Sequence, residues 1–133
     1  MEFIVDTGVL IEIENNNQKI INEISQLGRE SNSKLYLTFF NFCEFYYGII
    51  SRSAKNKALA QERLSQYPLL NTSKNTALIF CELWSQLKKK GKIIPQFDLL
   101  IASMALEYNF TLLTTNEHFL NVPELKVKML KIG

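Results

Sequence analysis

"FIVDTGVL", residues 3–10, is the stretch on which the reading of this chain turns. Phe3-Ile4-Val5 reads as a short apolar strand, and Asp6 puts a carboxylate where that strand stops. Asp6-Thr7-Gly8 is also the triplet on which aspartic proteases are built. Asp6 can therefore be half of a protease dyad, a metal ligand, or a polar residue that ends a strand. The rest of the chain has to decide.

The chain has 133 residues, which by length is a single domain, 1–133, able to bury a core without staples. Apolar residues make up 47% and charged residues 21%, the balance of a globular rather than a disordered chain. Five glycines and three prolines mark no linker, and no internal repeat is present. The apolar runs fall well short of the roughly 20 residues that span a membrane. No basic, apolar leader pattern opens the sequence, so the expected location is cytoplasmic. Cys43 and Cys81 lie in apolar helical segments without metal-like spacing and are expected as reduced core thiols. A formal net charge of +2 leaves a nucleic-acid partner open without arguing for one.

Five short β-rich stretches stand out: Glu2–Val5, Lys34–Leu37, Pro68–Leu70, Phe110–Thr114 and Lys126–Leu130. Helical patterns separate them. Gln18–Arg29 carries Ile20, Ile21, Ile24 and Leu27 on one face. Phe39–Ile50 is apolar on nearly every side. Ser53–Gln66 turns Leu59 and Leu64 inward, Ser73–Lys90 spaces Ala77, Phe80, Cys81, Trp84 and Leu87 helically, and Leu99–Tyr108 is apolar and small. Asn15-Asn16-Asn17 reads as a turn between two helical pieces. Short strands alternating with helices predict an α/β fold with a parallel sheet covered on both faces. That organisation argues against the protease reading. A single-domain aspartic protease is almost all strand, needs a glycine-rich flap, and has strand sequence ahead of its triplet.

In an open parallel sheet, ligands bind beyond the carboxyl ends of the strands. Asp6 ends Phe3-Ile4-Val5, and Thr114-Thr115-Asn116 ends Leu112-Leu113. Glu44 is the only charged side chain in "TFFNFCEFYYG", residues 38–48. It either lies on a narrow exposed stripe or has its charge met by a bound cation. Asp98, in "IIPQFDLLIASMAL" (residues 93–106), follows Pro95 and precedes an apolar helix, so it is a natural N-cap. An N-cap carboxylate can also turn an oxygen towards a metal. Three such carboxylates suit Mg²⁺ or Mn²⁺, hard ions that prefer oxygen and relieve the repulsion between acids in a low-dielectric pocket. An ion so held can activate water and stabilise charge on a phosphodiester. The single histidine, His118, is expected as a surface or loop residue, and no Ser–His–Asp arrangement competes.

The order Asp6, Glu44, Asp98 and then "LLTTNEHF" (residues 112–119) resembles the PIN domains, above all the VapC-type ribonuclease toxins of toxin–antitoxin modules. The resemblance spans nearly the whole chain. "FIVDTGVLI" is similar to the family's opening strand, "NFCEFYYGI" to its second motif, and "IIPQFDLLIASMALEYNFTLLTTNEHFLNVPELKV" to its most specific stretch, with Pro-x-x-Asp-x-x-Ile-Ala and Thr-x-Asn in register. The resemblance implies a three-layer α/β/α sandwich around about five short parallel strands and a divalent-metal-dependent endoribonuclease. It implies Asp6, Glu44 and Asp98 as catalytic carboxylates and metal ligands, with Asn116 as a further ligand and Thr7, Thr114 and Glu117 in support. It also implies an RNA substrate, an antitoxin partner and a homodimer, for which the aromatic residues 39–47 would serve as interface or as core.

Two departures matter. Gly8 stands where the family usually has Asn, and Asn116 where many relatives carry a fourth acid, with Glu117 adjacent as a substitute. Three charges predict one well-held Mg²⁺ and a weak or absent second site. The departures also admit an alternative, a PIN-like domain weakened in catalysis that binds RNA or protein. A haloacid-dehalogenase-type phosphatase needs Asp-x-Asp after its first strand and fails at Gly8. "LKKKGK", residues 87–92, places Lys88, Lys89, Lys90 and Lys92 before Asp98, either as cations complementing a helix C-terminus or as a phosphate-binding ramp.

Overall fold

The computed structural model describes the backbone of residues 1–133 and every side chain except that of Ser31. The described residues form five strands and six helices, β1 (Glu2–Val5), α1 (Thr7–Glu14), α2 (Gln18–Ser31), β2 (Lys34–Thr38), α3 (Phe39–Ile49), α4 (Ala54–Leu64), β3 (Leu69–Leu70), α5 (Lys74–Lys89), α6 (Gln96–Tyr108), β4 (Thr111–Thr114) and β5 (Val127–Met129). A 3₁₀ turn over Glu117–Asn121 lies between the last two strands. All pairings are parallel, and the order across the sheet is β3-β2-β1-β4-β5. The chain thus winds outward from β1 on one side and returns to β1's other edge with β4. The gap between the carboxyl ends of β1 and β4 is the topological switch point, where this architecture forms its crevice.

Strand alternation sorts the core into two faces. Phe3 and Val5 of β1 and Leu113 of β4 join Val9, Leu10, Ile20, Phe45, Ile49, Ala60 and Leu64, from α1 to α4. Ile4 and Leu112 point the other way, onto Leu83, Leu87, Leu99, Ile101, Ala102 and Ala105 of α5 and α6. With side chains on both faces buried, these strands are the near-continuous apolar runs that parallel sheets require. The result is the expected three-layer α/β/α sandwich. Element ends follow local chemistry. Asn17 caps α2 by accepting from the Ile20 amide, and Asn32 and Asn109 close α2 and α6 in left-handed conformations at φ 50° and 58°.

Three packing expectations are corrected. Leu59 is exposed, and Ala60 takes the inward place beside Leu64. Cys81 is free but exposed rather than core, while Cys43 is half-buried. The buried stripe of α5 runs through Thr76, Leu83 and Leu87 with Ile79 and Phe80 packed beside it, and Ala77, Cys81 and Trp84 face outward. Thr76 is the reason the stripe was hard to read. Its hydroxyl donates to Glu107 of α6 and accepts from the Ser73 amide at 2.9 Å, so a polar residue sits satisfied in an apolar row.

Candidate active site

Asp6 leaves β1 at the switch point and occupies the N-cap position of α1 with φ −69° and ψ 154°, yet its side chain does not cap the helix. The backbone carbonyl accepts from the amides of Val9 and Leu10 at 3.0 and 3.1 Å, which leaves the carboxylate for other partners. The residue is 5% exposed. Oδ2 accepts from the buried Thr114 hydroxyl at 2.7 Å, and Oδ1 lies 3.5 Å from Asn41 Nδ2. Burial raises the Asp6 pKa above its ordinary value, and the bonds from Thr114, the Thr7 amide and Asn41 only partly offset it.

Glu44 comes from the middle of α3 and is half-buried. Its Oε1 accepts from Thr7 Oγ1 at 2.8 Å, and that hydroxyl accepts in turn from Asn41 Nδ2 at 3.2 Å. Asn41 is the residue sequence reasoning missed. It is fully buried and reaches Asp6 and Thr7 with its amide, while its Oδ1 accepts from the Thr38 amide and hydroxyl at 3.3 and 2.8 Å. A usable signal was present in Thr38-x-x-Asn41, the capping box that starts α3.

Asp98 is not the N-cap. Pro95 holds that position with φ −52° and ψ 144°, and α6 begins at Gln96, so Asp98 sits in the first turn. A proline has no amide hydrogen to lose there, so the helix can start directly after it. Asp98 is half-buried, and its pKa is pushed up to about 6 by burial, then by Asp6 and then by Glu44, with His118 pulling the other way. Asp98 therefore lies within the fields of Asp6 and Glu44, and of His118, exposed on the 3₁₀ turn.

The remaining candidates are less tightly grouped. The Asn116 amide donates to Thr114 Oγ1 at 3.0 Å, and its Oδ1 accepts from the His118 amide at 3.0 Å, capping the 3₁₀ turn. Glu117 is exposed on that turn. Gly8 has a spatial reason. A Cβ there would stand 3.0 Å from Thr115 Oγ1, so the glycine makes room for a hydroxyl at the rim of the pocket. Lys88 and Lys92 line a groove of about 340 Å³ with Trp84, Leu87, Ile93 and Leu99, and Lys92 Nζ donates to Asn121 Oδ1 at 3.0 Å. Lys89 is exposed in the last turn of α5 and Lys90 is its C-cap.

An all-oxygen donor set of three acids fits a hard divalent cation, which would offset the part of the Asp98 pKa rise that Asp6 and Glu44 add to burial. Among the described residues, no three Asp, Glu, His or Cys side chains are already drawn into a closed cage. Glu44 is held by Thr7 rather than turned towards a common centre with the two aspartates.

The order β3-β2-β1-β4-β5, with Asp6 at the β1/β4 switch point, defines an α/β protein of the open parallel-sheet class. The model of the PIN domain family matches residues 3–125, and the chain belongs to that family. The chain is 31% identical over 130 residues to Ribonuclease VapC1 of Haemophilus influenzae (strain R2866), covering 95% of this chain and 96% of the relative. It is 29% identical over 129 residues to Ribonuclease VapC2 of Rickettsia felis, covering 94% and 95%. Among solved structures, VapBC2 from Rickettsia felis, bound to a DNA fragment from its promoter, superposes with a TM-score of 0.87 at 25% identity, covering 98% of this chain and 100% of that one. VapBC-1 from nontypeable Haemophilus influenzae gives 0.84 at 28% identity, covering 97% and 98%. The resemblance read from the three motifs is thereby borne out. No helix among the described residues is long and apolar enough to cross a membrane.

Proposed function

We propose that this protein is a divalent-metal-dependent endoribonuclease and the toxin of a toxin–antitoxin pair. The observation that supports this reading is a carboxylate, Asp6, at the β1/β4 switch point of a PIN fold, with Asp6 and Glu44 adding to the burial that raises the Asp98 pKa. The relatives named ribonuclease, and those solved as VapBC complexes, support the substrate class and the partner.

Asp6, Glu44 and Asp98 would hold one Mg²⁺ or Mn²⁺ ion, with the neutral Asn116 too weak to build a second tight site. Such an ion, when bound, supplies Lewis-acid activation of water and neutralises charge developing on the phosphodiester. The chain's own residues prepare the pocket. Thr114 and Asn41 fix the Asp6 carboxylate, and Thr7 fixes Glu44. Asn41 ties the two together through Thr7. The exposed lysines at the end of α5 are suited to hold RNA phosphates, and homodimer formation fits the family.

The test is cleavage of total RNA by the purified protein with Mg²⁺, with Mn²⁺ and with EDTA, beside Asp98→Asn. Metal-dependent cuts that vanish in the variant support the nuclease, and calorimetry should then find one tight Mg²⁺ site. Gly8 and the Asn116 side chain, already engaged as a cap, favour one other reading, a catalytically weakened domain that binds RNA or protein. Folded protein that binds RNA but cuts none with either ion would establish that reading instead.

A further inference from the structure

Two half-exposed phenylalanine rings belong to the two helices that carry Glu44 and Asp98. Phe97 is 44% exposed and immediately precedes Asp98, and Phe39, which opens α3, is 48% exposed. Between them lies the half-buried Phe40. Its ring centroid is 5.6 Å from each of the other two, at interplanar angles of 89° with Phe39 and 60° with Phe97. Phe40 is one helical turn before Glu44, which puts both on the same face of α3. The row Phe39–Phe40–Phe97 therefore joins the start of α6 to the face of α3 that carries Glu44. Edge-on contact with Phe40 steadies the outer rings and leaves about half of each open.

The charge of the pocket says what could lie on this row. Asp6, Glu44 and Asp98 repel any phosphate that is not met by a cation, so the strand on either side of the reacting phosphodiester gains little from its backbone there. Its uncharged bases can gain from aromatic faces instead. Bases in a duplex are already stacked and are not available. On the ribonuclease reading, we propose that Phe97, together with Phe39, is a stacking platform for a nucleobase next to the scissile phosphate. Phe97 on this account is a specificity-determining residue and takes no part in the bond-breaking step.

The experiment uses full-length protein and an oligoribonucleotide spanning a cut mapped in total RNA, with 2-aminopurine at each flanking position in turn. Wild type is compared with Phe97→Ala, Phe97→Leu and Phe97→Trp. Binding is followed by fluorescence with Ca²⁺ as the divalent ion, cleavage with Mg²⁺, and folding by thermal midpoint. A stacked base interacts alike in the bound and transition states, so Phe97→Ala should raise KM by about 5- to 150-fold with kcat nearly unchanged. It should also abolish the quenching of one flanking 2-aminopurine. Phe97→Trp should restore both, and Phe97→Leu, which keeps apolar bulk without a ring face, should not. If Leu serves as well as Phe, or if a duplex spanning the same site is cut equally fast, the platform is overturned and the rings are an apolar surface for a protein partner. Wild type that cuts no RNA at all removes the ribonuclease reading itself. Unchanged cutting by Phe97→Ala removes only the platform.

Discussion

Replacing Asp98 by Asn should stabilise the metal-free protein at neutral pH, although Asp98 is one of the three residues on which activity is expected to depend. The pKa of this carboxyl rises from 3.8 to about 6, so the folded protein holds its proton over a pH range in which the unfolded chain has released it. The group therefore contributes stability that is fully present below about 3.8 and is lost as pH rises through about 6. The gap is worth about 3 kcal/mol before screening. Asp98 is only half-buried, and solvent screening brings the figure nearer to about 1–1.5 kcal/mol. An amide mimics the protonated acid and escapes the loss. In EDTA, wild type and Asp98→Asn should unfold alike in urea near pH 4. By pH 7.5 the variant should lead by about 1–1.5 kcal/mol, or about 3–6 °C in Tm. Asp6, whose pKa also rises, gives both proteins a slope of the same sign, so the difference between them reports Asp98 together with its coupling to Asp6. Adding Mg²⁺ should reverse the order, because a cation among the acids stabilises wild type more than the variant. A variant less stable than wild type in EDTA at pH 7.5, or a difference that does not change with pH, would refute the account of an electrostatically strained pocket.

Asn41→Ala should cost about 1–3 kcal/mol in urea unfolding, since it strips partners from the buried Thr38 and from Asp6 and Thr7. Thr7→Val should leave stability within about 1.5 kcal/mol of wild type but raise the Mg²⁺ concentration for half-maximal RNA cleavage several-fold, because Glu44 loses its hydroxyl donor. Gly8→Ala should not deliver the roughly 0.5–1 kcal/mol that Ala normally brings to a helix, because its Cβ meets Thr115 Oγ1 at 3.0 Å. In a Thr115→Ala background the gain should appear, and a double-mutant cycle by thermal unfolding measures the difference. Replacing Lys88, Lys89, Lys90 and Lys92 together by Ala should reduce the salt slope of RNA binding by as much as about 3, and an unchanged slope would leave these lysines as helix-end cations only.

The fold was legible where one residue type does one job. The apolar runs ahead of Asp6 and Thr114 read as strands by local pattern, and β1 and β4 fall there, in parallel register with Phe3 opposite Thr111 and Val5 opposite Leu113. Legibility failed where a polar residue is satisfied by something distant in sequence. Thr76 interrupts the buried row of α5 because Glu107, thirty-one positions away, answers its hydroxyl, and no local window contains both. The cap rule points to Asp98 because it weighs side-chain oxygens, whereas the N-cap is Pro95, which makes no side-chain cap, and Asp98 lies in the first turn. Asn41 was hidden by its neighbours. An amide among six aromatic residues reads as an exception to an apolar helix until Asp6 and Thr7, more than thirty residues away, are seen beside it.

The kind of partner given to each carboxylate bears on what the pocket does. Asp6 is met by a threonine hydroxyl and an asparagine amide, and Glu44 by a threonine hydroxyl. Elsewhere the protein pairs acids differently, as where Arg63 grips both oxygens of Glu14 on the surface. A lysine or arginine at Thr7, Asn41 or Thr114 would have neutralised the acids and lowered their proton affinity. Neutral donors orient the oxygens and leave the charge in place, so Asp98, pushed up to about 6 first by burial, still feels both neighbours. A pocket built this way is costly for the folded chain by itself and favourable once a divalent cation arrives. The same cost gives Asp98→Asn its predicted stabilisation, so the unfolding curves in EDTA and in Mg²⁺ probe the cation site without requiring the enzyme to turn over.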